Sequence, residues 1–283
     1  MTAAPATTLL PMQRSHGAGT LAVKLSAGRT RIDRLHQSGN AKIRVPRTYG
    51  DALEAVLINT SGGVTGGDTL SWTLEAGPQT LAVVTTQACE RIYRSTGQAG
   101  LQNSAIRVAD GASLFWLPQE TILFDGGRFC RTLDVDLAEN ARFVGLETLV
   151  FGREAMGETV AAGLFRDRWR IRRAGRLVHA DDLRFDIAAP LDTADLALLG
   201  ENRVAATLVA VTPDDGEELD LTVKNARAML RDMAMGVSRI GEKECGKLVV
   251  RLAAPSAYLL RKQLLPLLSL FLGDRALPKV WNL

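Results

Sequence analysis

From Leu21 to about Ile187 apolar and polar residues alternate in short runs bounded by turn formers, and the three-to-four spacing of an amphipathic helix is nearly absent. The pattern predicts strands. One unit recurs. Residues 109–124 read ADGASLFWLPQETILF and residues 138–151 read AENARFVGLETLVF. Both open with alanine, an acid, a turn former (Gly111 or Asn140) and alanine, and both close with Glu-Thr, two aliphatics and Phe. A further turn, Arg173-Ala174-Gly175-Arg176, separates RWRIR from LVHADDL in the same style. Recurring hairpin-like units predict a mainly β fold of stacked, loosely solenoid-like layers, too degenerate for a regular β-helix.

The C-terminal part changes period. Residues 218–235 place Leu219, Val223, Ala226, Leu230 and Met233 at helical spacing, with Gly236 as the C-cap. Residues 237–252 read as a short strand pair around Gly241 and Gly246. A second helix is predicted from about Pro255 to Leu272, with Gly273 after it and a kink at Pro266. Apolar residues cover nearly its whole circumference, so it is either buried in its own fold or docked on a partner. The expected organisation is a flexible N-terminus over 1–20 and one domain over 21–283, β-rich over 21–215, with a C-terminal pair of α-helices within 216–275.

Residues 59–68, NTSGGVTGGD, interrupt the alternation with Gly62, Gly63, Gly66 and Gly67 and close on Asp68. Strand-like runs flank them, Ala55–Ile58 before and Leu70–Leu74 after. A phosphate-binding P-loop requires a lysine where Asp68 stands, and a dinucleotide fingerprint must open a helix. The expectation is therefore a structural turn using positive φ or close backbone packing.

Bulk composition adds exclusions. Hydrophobic residues make up 46% and charged residues 23%, a globular balance, and a net charge of +3 argues against a nucleic-acid binder. The first twenty residues lack an adequate apolar core for a secretory leader, and no apolar run reaches membrane-spanning length. Cys89, Cys130 and Cys245 are odd in number and far apart, which suits a reducing compartment, the cytoplasm. They read as small buried apolar groups.

Candidate chemistry is sparse. His16, His36 and His179 are scattered, no CxxC exists, and no stable metal site is expected. There is no GxSxG nucleophile elbow. Glu120 and Glu147 hold equivalent places in ETILF and ETLVF, pointing with Ile122 and Phe124 and with Leu149 and Phe151. Such acids need partners: arginines such as Arg128 or Arg153 as structural glue, or a hydrated passage that suits a divalent cation. In RDRWRIRR, residues Arg166, Arg168, Arg170 and Arg172 share one strand face and Trp169 and Ile171 the other. That face is either solvated and balanced by Asp181 and Asp182 or a docking surface for an acidic partner.

Taken in order, NTSGGVTGGD, TTQACERIYRS (85–95), WLPQETILFDG (116–126), GREAMGE (152–158) and GRLVHADDL (175–183) resemble the blocks of the urease accessory protein UreD family, also called UreH. GVSR (236–239) and LPKVW (277–281) resemble its later blocks, and the resemblance spans roughly residues 20–283. Ser61, Val64–Thr65, Cys89 and Lys279 depart from the pattern, without touching its acids or glycines. The resemblance implies a non-catalytic, β-rich scaffold with a helical element. Such a scaffold docks on apo-urease, recruits UreF and, through it, the GTPase UreG, and passes nickel through an internal tunnel with no tightly bound cofactor. Glu120, Asp125, Glu147 and Glu158 are the candidate tunnel-lining acids, and neither nucleic acid nor membrane is an expected partner. A β-solenoid carbohydrate-active enzyme using Glu120 and Asp125 is the alternative, although aromatics are only 5% of the chain.

Overall fold

The computed structural model describes residues 13–48, 50–189, 199–213, 217–230, 234–240, 246–273 and 275–282. β1 (His16–Ser26) and β2 (Arg29–Ser38) form an antiparallel hairpin across Ala27 and Gly28, which hold φ of 50° and 71°. β3 (Ala41–Arg44) and β4 (Leu53–Asn59) pair next, and the chain then winds. Each circuit lays one strand in a first sheet and the next in a second. β5 (Thr69–Ala76) is followed by β6 (Leu81–Thr86) and the short β7 (Glu90–Ile92). β8 (Gly100–Val108) is followed by β9 (Ser113–Leu117) and the short β10 (Thr121–Leu123). β11 (Arg128–Leu137) leads to β12 (Arg142–Phe151), and β13 (Gly163–Arg173) with β14 (Arg176–Ile187) closes the first sheet. β15 (Val204–Thr212), α1 (Glu217–Met229), β16 (Ala234–Ile240), β17 (Gly246–Ala254) and α2 (Ala257–Leu272) complete the order.

Among the described residues the first sheet runs β14-β13-β11-β8-β5-β1-β2 and the second β16-β17-β15-β12-β9-β6-β4-β3. Both are parallel through their winding parts. β7, β10 and the end of β12 make a narrow third side, also parallel. The repeated sequence units are the repeated circuits. Their turns stack: Asn140 Nδ2 donates to Asp110 Oδ1 at 3.0 Å, and Arg142 N donates to the Ala112 carbonyl at 2.9 Å. The fold is thus mainly β, with stacked solenoid-like layers and two helices.

The two sheets differ in what covers them. β8 alternates buried and exposed residues along its whole length, because the outer face of the first sheet meets water. β12, RFVGLETLVF, is buried on both faces, because α1 and α2 cover the second sheet from outside. Trp72, Trp116, Phe143 and Trp169 fill the space between the sheets. Leu219, Val223 and Ala226 of α1 and Leu264, Leu268 and Phe271 of α2 pack on Val144, Leu146 and Val250.

Three boundaries differ from the sequence reading. β1 starts at His16, inside the stretch expected to be flexible; residues 1–12 lie outside the described set. The first helix ends at Met229, and Gly236 is no C-cap but a residue of β16 paired with Arg251 of β17. The apolar spacing runs on past the helix, yet a backbone ladder to β17 satisfies residues 234–240 better than another helical turn. Met233, Gly241 and Cys245 lie outside the described residues. The second helix begins at Ala257, where Ser256 caps it by accepting from Leu259 N at 3.3 Å. It is buried mainly in its own fold, leaving Tyr258 and Leu259 exposed.

Candidate functional site

A polar cavity of about 250 Å³ lies between the sheets, lined among others by Asn59, Glu90, Gln102, Gln119, Thr121, Arg131 and Glu147. Strand alternation puts Arg131 on the inner face of β11 and Asp167 beside it on β13, in direct register. Arg131 grips Asp167 with two hydrogen bonds, from Nη2 at 2.6 Å and Nε at 3.1 Å. Its Nη1 donates to Thr121 Oγ1 at 3.1 Å and to Glu147, which arrives from β12 across the sandwich. Trp116 Nε1 donates to the other oxygen of Glu147 at 2.9 Å.

One guanidinium thus serves two buried carboxylates. Burial raises the Glu147 pKa, Arg131 opposes the rise, and the Asp167 charge adds to it. Glu90, on β7, is pushed up to about 7 by burial, although Asn59 Nδ2 donates to it at 3.1 Å. Gln119 Nε2 has no partner among the described residues. The cavity wall therefore combines carboxyls whose pKa values burial raises with a donor unused among the described residues.

A second, larger hollow of about 660 Å³ opens on the outside, floored by Ile122, Phe124 and Val150 and rimmed by the exposed Met156 and Tyr258. Arg261 of α2 organises it. Its guanidinium donates to Glu120 Oε1 at 3.1 Å and Gln119 Oε1 at 2.8 Å, and to the carbonyls of Val280 and Trp281 at 3.2 and 2.8 Å. It lies 4.8 Å over the Trp281 ring, whose Nε1 points to Thr85 Oγ1 and the Leu117 carbonyl, both at 3.2 Å. Cys89 and Arg91 line both hollows, so groove and cavity adjoin there.

The four acids singled out from the sequence do not converge. Glu147 lies in the cavity and Glu120 in the groove, on opposite sides of the second sheet, although their motifs look equivalent. The cause is one residue of slip. β9 and β12 align Trp116 with Gly145, whereas β10 and β12 align Thr121 with Leu149, so the Leu-Pro-Gln-Glu stretch shifts the register by one and reverses the facing. Their partners also differ from Arg128 and Arg153: Glu147 takes Arg131, and Glu120 takes Arg261.

Asp125 pairs with Arg94 at 2.5 Å and accepts from Ala161 N and Ala162 N, and Glu158 is held by Arg153. Both therefore brace an outer loop. Glu120 lines the groove, whereas Asp125 is tied into the outer loop by Arg94 and the backbone of residues 161–162. Among the described residues no group of three or more His, Cys, Asp or Glu is placed to hold a metal ion.

The glycine loop carries the chain from β4 to β5 and leans on residues 91–98. Val64 N donates to the Arg91 carbonyl and Tyr93 N to the Val64 carbonyl, both at 2.8 Å. A Cβ on Gly66 would meet Ser95 Oγ at 2.0 Å and the Gln98 carbonyl at 2.3 Å, and Gly63, with φ of 156°, would strike the Tyr93 ring. Gly62 and Gly67 hold φ of 77° and 88°. Asp68 closes the loop by accepting from Ser15 N at 2.8 Å and Thr65 N at 2.9 Å.

On the outer face of β13, Arg166 pairs with Asp182, Arg172 with Asp134, and Arg170 donates to two backbone carbonyls. Arg168 makes no ion pair among the described residues, and Asp181 turns to Arg251 instead. Cys89 and Cys130 are half-buried free thiols rather than core residues. His179 is buried beside Trp169 with its Nε2 unpartnered among the described residues, and burial pushes its pKa down to about 4.

Four residues that shape these hollows escaped the sequence reading: Glu90, Arg131, Asp167 and Arg261. Asp167 was detectable, because it sits on the Trp169–Ile171 side of RDRWRIRR and so had to be buried.

The sequence profile described as UreD urease accessory protein matches residues 15–282. Urease accessory protein UreD of Chelativorans sp. (strain BNC1) is 48% identical over 274 residues, 96% of each chain. That of Rhizobium etli is 48% identical over 271 residues and that of Brucella suis 46% over 276, again covering 96% of each chain. A match running from the first described strand to the Trp281 anchor takes in the cavity, the groove and the glycine loop alike, and the chain belongs to the UreD family of urease accessory proteins.

Proposed function

We propose that this chain serves urease maturation as a non-catalytic scaffold that docks on apo-urease, recruits UreF and, through it, the GTPase UreG, and lets nickel pass through its interior. The observation that carries the reading is the polar cavity lined by Glu90 and Glu147, which shares Cys89 and Arg91 with the outer groove. Carboxylate oxygens hold nickel less tightly than imidazole or thiolate sets, which suits transit rather than storage. The outer arginine row of β13 and the groove rimmed by Met156 and Tyr258 supply surfaces for the partners.

Co-expression with urease, UreF and UreG tests this. In Glu147→Gln, Arg131 stays neutralised by Asp167, so the fold and the purified complex should persist while the nickel content of the urease falls several-fold. Normal nickel loading by both Glu147→Gln and Glu90→Gln, measured by elemental analysis of the purified urease, would remove the cavity from the route.

A further inference from the structure

Both ends of the sandwich carry ties between the sheets, since Thr30 Oγ1 and Gln37 Oε1 of β2 accept from Leu81 N and Ile43 N at 2.9 and 2.8 Å, but the edge strands themselves differ. At the β14 end, Arg251 of β17 reaches Asp181 at 2.5 Å and Lys247 Nζ donates to the Val178 carbonyl at 2.6 Å, so side chains of the second sheet lock onto the edge of the first. At the other end β2 is the last strand of its sheet, ten residues long and exposed over almost its whole length. Among the described residues, one row of its backbone N–H and C=O groups has no strand beside it. Ile32 and Leu35 are 42% and 39% exposed, and Leu25 on the adjoining strand is 46% exposed.

The charges on this edge are unbalanced. Asp33 is taken by Lys24 at 2.8 Å, and Arg34 by Glu75 at 2.9 Å. Arg29 and Arg31 make no ion pair among the described residues, and Arg31 stands directly across from Lys24, a like-charge pair that costs stability. A register shift between Ala22 and Val23 breaks the regular ladder beside Asp33.

The geometry points to the free edge of β2 as a docking site for an extended acidic segment of a partner protein, added as a further strand. The unpaired backbone row calls for an extended chain. Arg29 and Arg31 call for carboxylates on it, and the apolar side chains call for aliphatic residues at alternate positions. A second copy of this chain fits less well, because each β2 carries three arginines against one aspartate and two such edges would bring like net charge together. The irregular ladder likewise disfavours long neutral strands, so the edge is guarded against aggregation while remaining open to an acidic partner.

The test uses the full chain and three fluorescent seven-residue peptides. One alternates glutamate with valine, one replaces glutamate by lysine, and one is the acidic peptide N-methylated at alternate backbone positions. By anisotropy at low salt the acidic peptide should bind saturably, and the lysine and N-methylated peptides about tenfold more weakly or worse. Hydrogen exchange should show new protection over residues 29–38. Combining Arg29→Glu with Arg31→Glu should weaken the acidic peptide by about tenfold, with Arg29→Ala plus Arg31→Ala in between, and circular dichroism unchanged. Absence of binding, equal binding of the N-methylated peptide, indifference to both double variants, or protection away from β2 would each overturn the proposal. So would a dimer in sedimentation that either double variant dissolves, since the edge would then belong to a second copy.

Discussion

The cavity and the groove each hold an arginine–glutamate pair, and the two are built for different ends. Inside, the side chains of Arg131 and Glu147 are 4% and 3% exposed; outside, those of Arg261 and Glu120 are 19% and 14% exposed. The outer arginine meets one carboxylate and spends its other donors on neutral carbonyls, which tie α2 to residues 280–281. The inner arginine meets two carboxylates, and among the described residues no second cation pairs with either. A buried ion pair rarely repays its desolvation, and a buried triad with excess charge does so less well still. The outer pair is a fastening. The inner one maintains a polar interior at a cost to stability.

Breaking the inner arginine should have the largest effect. Arg131→Met leaves Glu147 and Asp167 buried without a cation, and about 3–5 kcal/mol of stability should disappear in chemical denaturation, or the protein should fail to accumulate. Arg261→Met should cost about 1–3 kcal/mol, since its partners keep some access to water. Equal losses for the two variants would erase the distinction between fastening and polar interior.

The smallest effect sharpens the comparison through pH. In the fold the Glu90 carboxyl stays protonated up to about 7, whereas without burial it ionises near 4.5. Between those values the folded state binds more protons than the unfolded one, so the contribution of Glu90 to stability declines as pH rises from 4.5 to 7 and is flat above. Glu90→Gln should flatten that slope when denaturation midpoints are compared at several pH values. An unchanged slope would mean that Glu90 is hydrated and ordinary.

What could be read from the chain follows from how far each signal reaches. The alternation in RDRWRIRR is local, and it placed Trp169 and Ile171 inside and four arginines outside, as the strand shows. Asp167 obeys the same rule, but a lone acid in a run of arginines is hidden by the charge of its neighbours. The ETILF and ETLVF units were visible as a repeat, but their facing was not. The slip that turns Glu120 outward is a property of pairing across the sheet, which the motif itself does not contain. The end of α1 failed for a related reason, since the ladder to β17 overrode a helical spacing that continued past Met229. Arg261 left no trace at all. It acts on Gln119, 142 positions earlier, from inside a helix whose leucines dominate the reading.

Trp281 has a consequence for the time course of synthesis. Its indole fills a slot made by Thr85 and Leu117, 196 and 164 positions earlier in the chain. A ribosome adding about 5–20 residues per second needs roughly 10–40 s to travel from Thr85 to Trp281. Throughout that interval the circuits of the solenoid can already be stacking, while the side of the second sheet that α2 and Trp281 will cover stands open to water. The nascent chain therefore waits with apolar surface uncovered on the very flank where the groove will form, until Trp281 has been added.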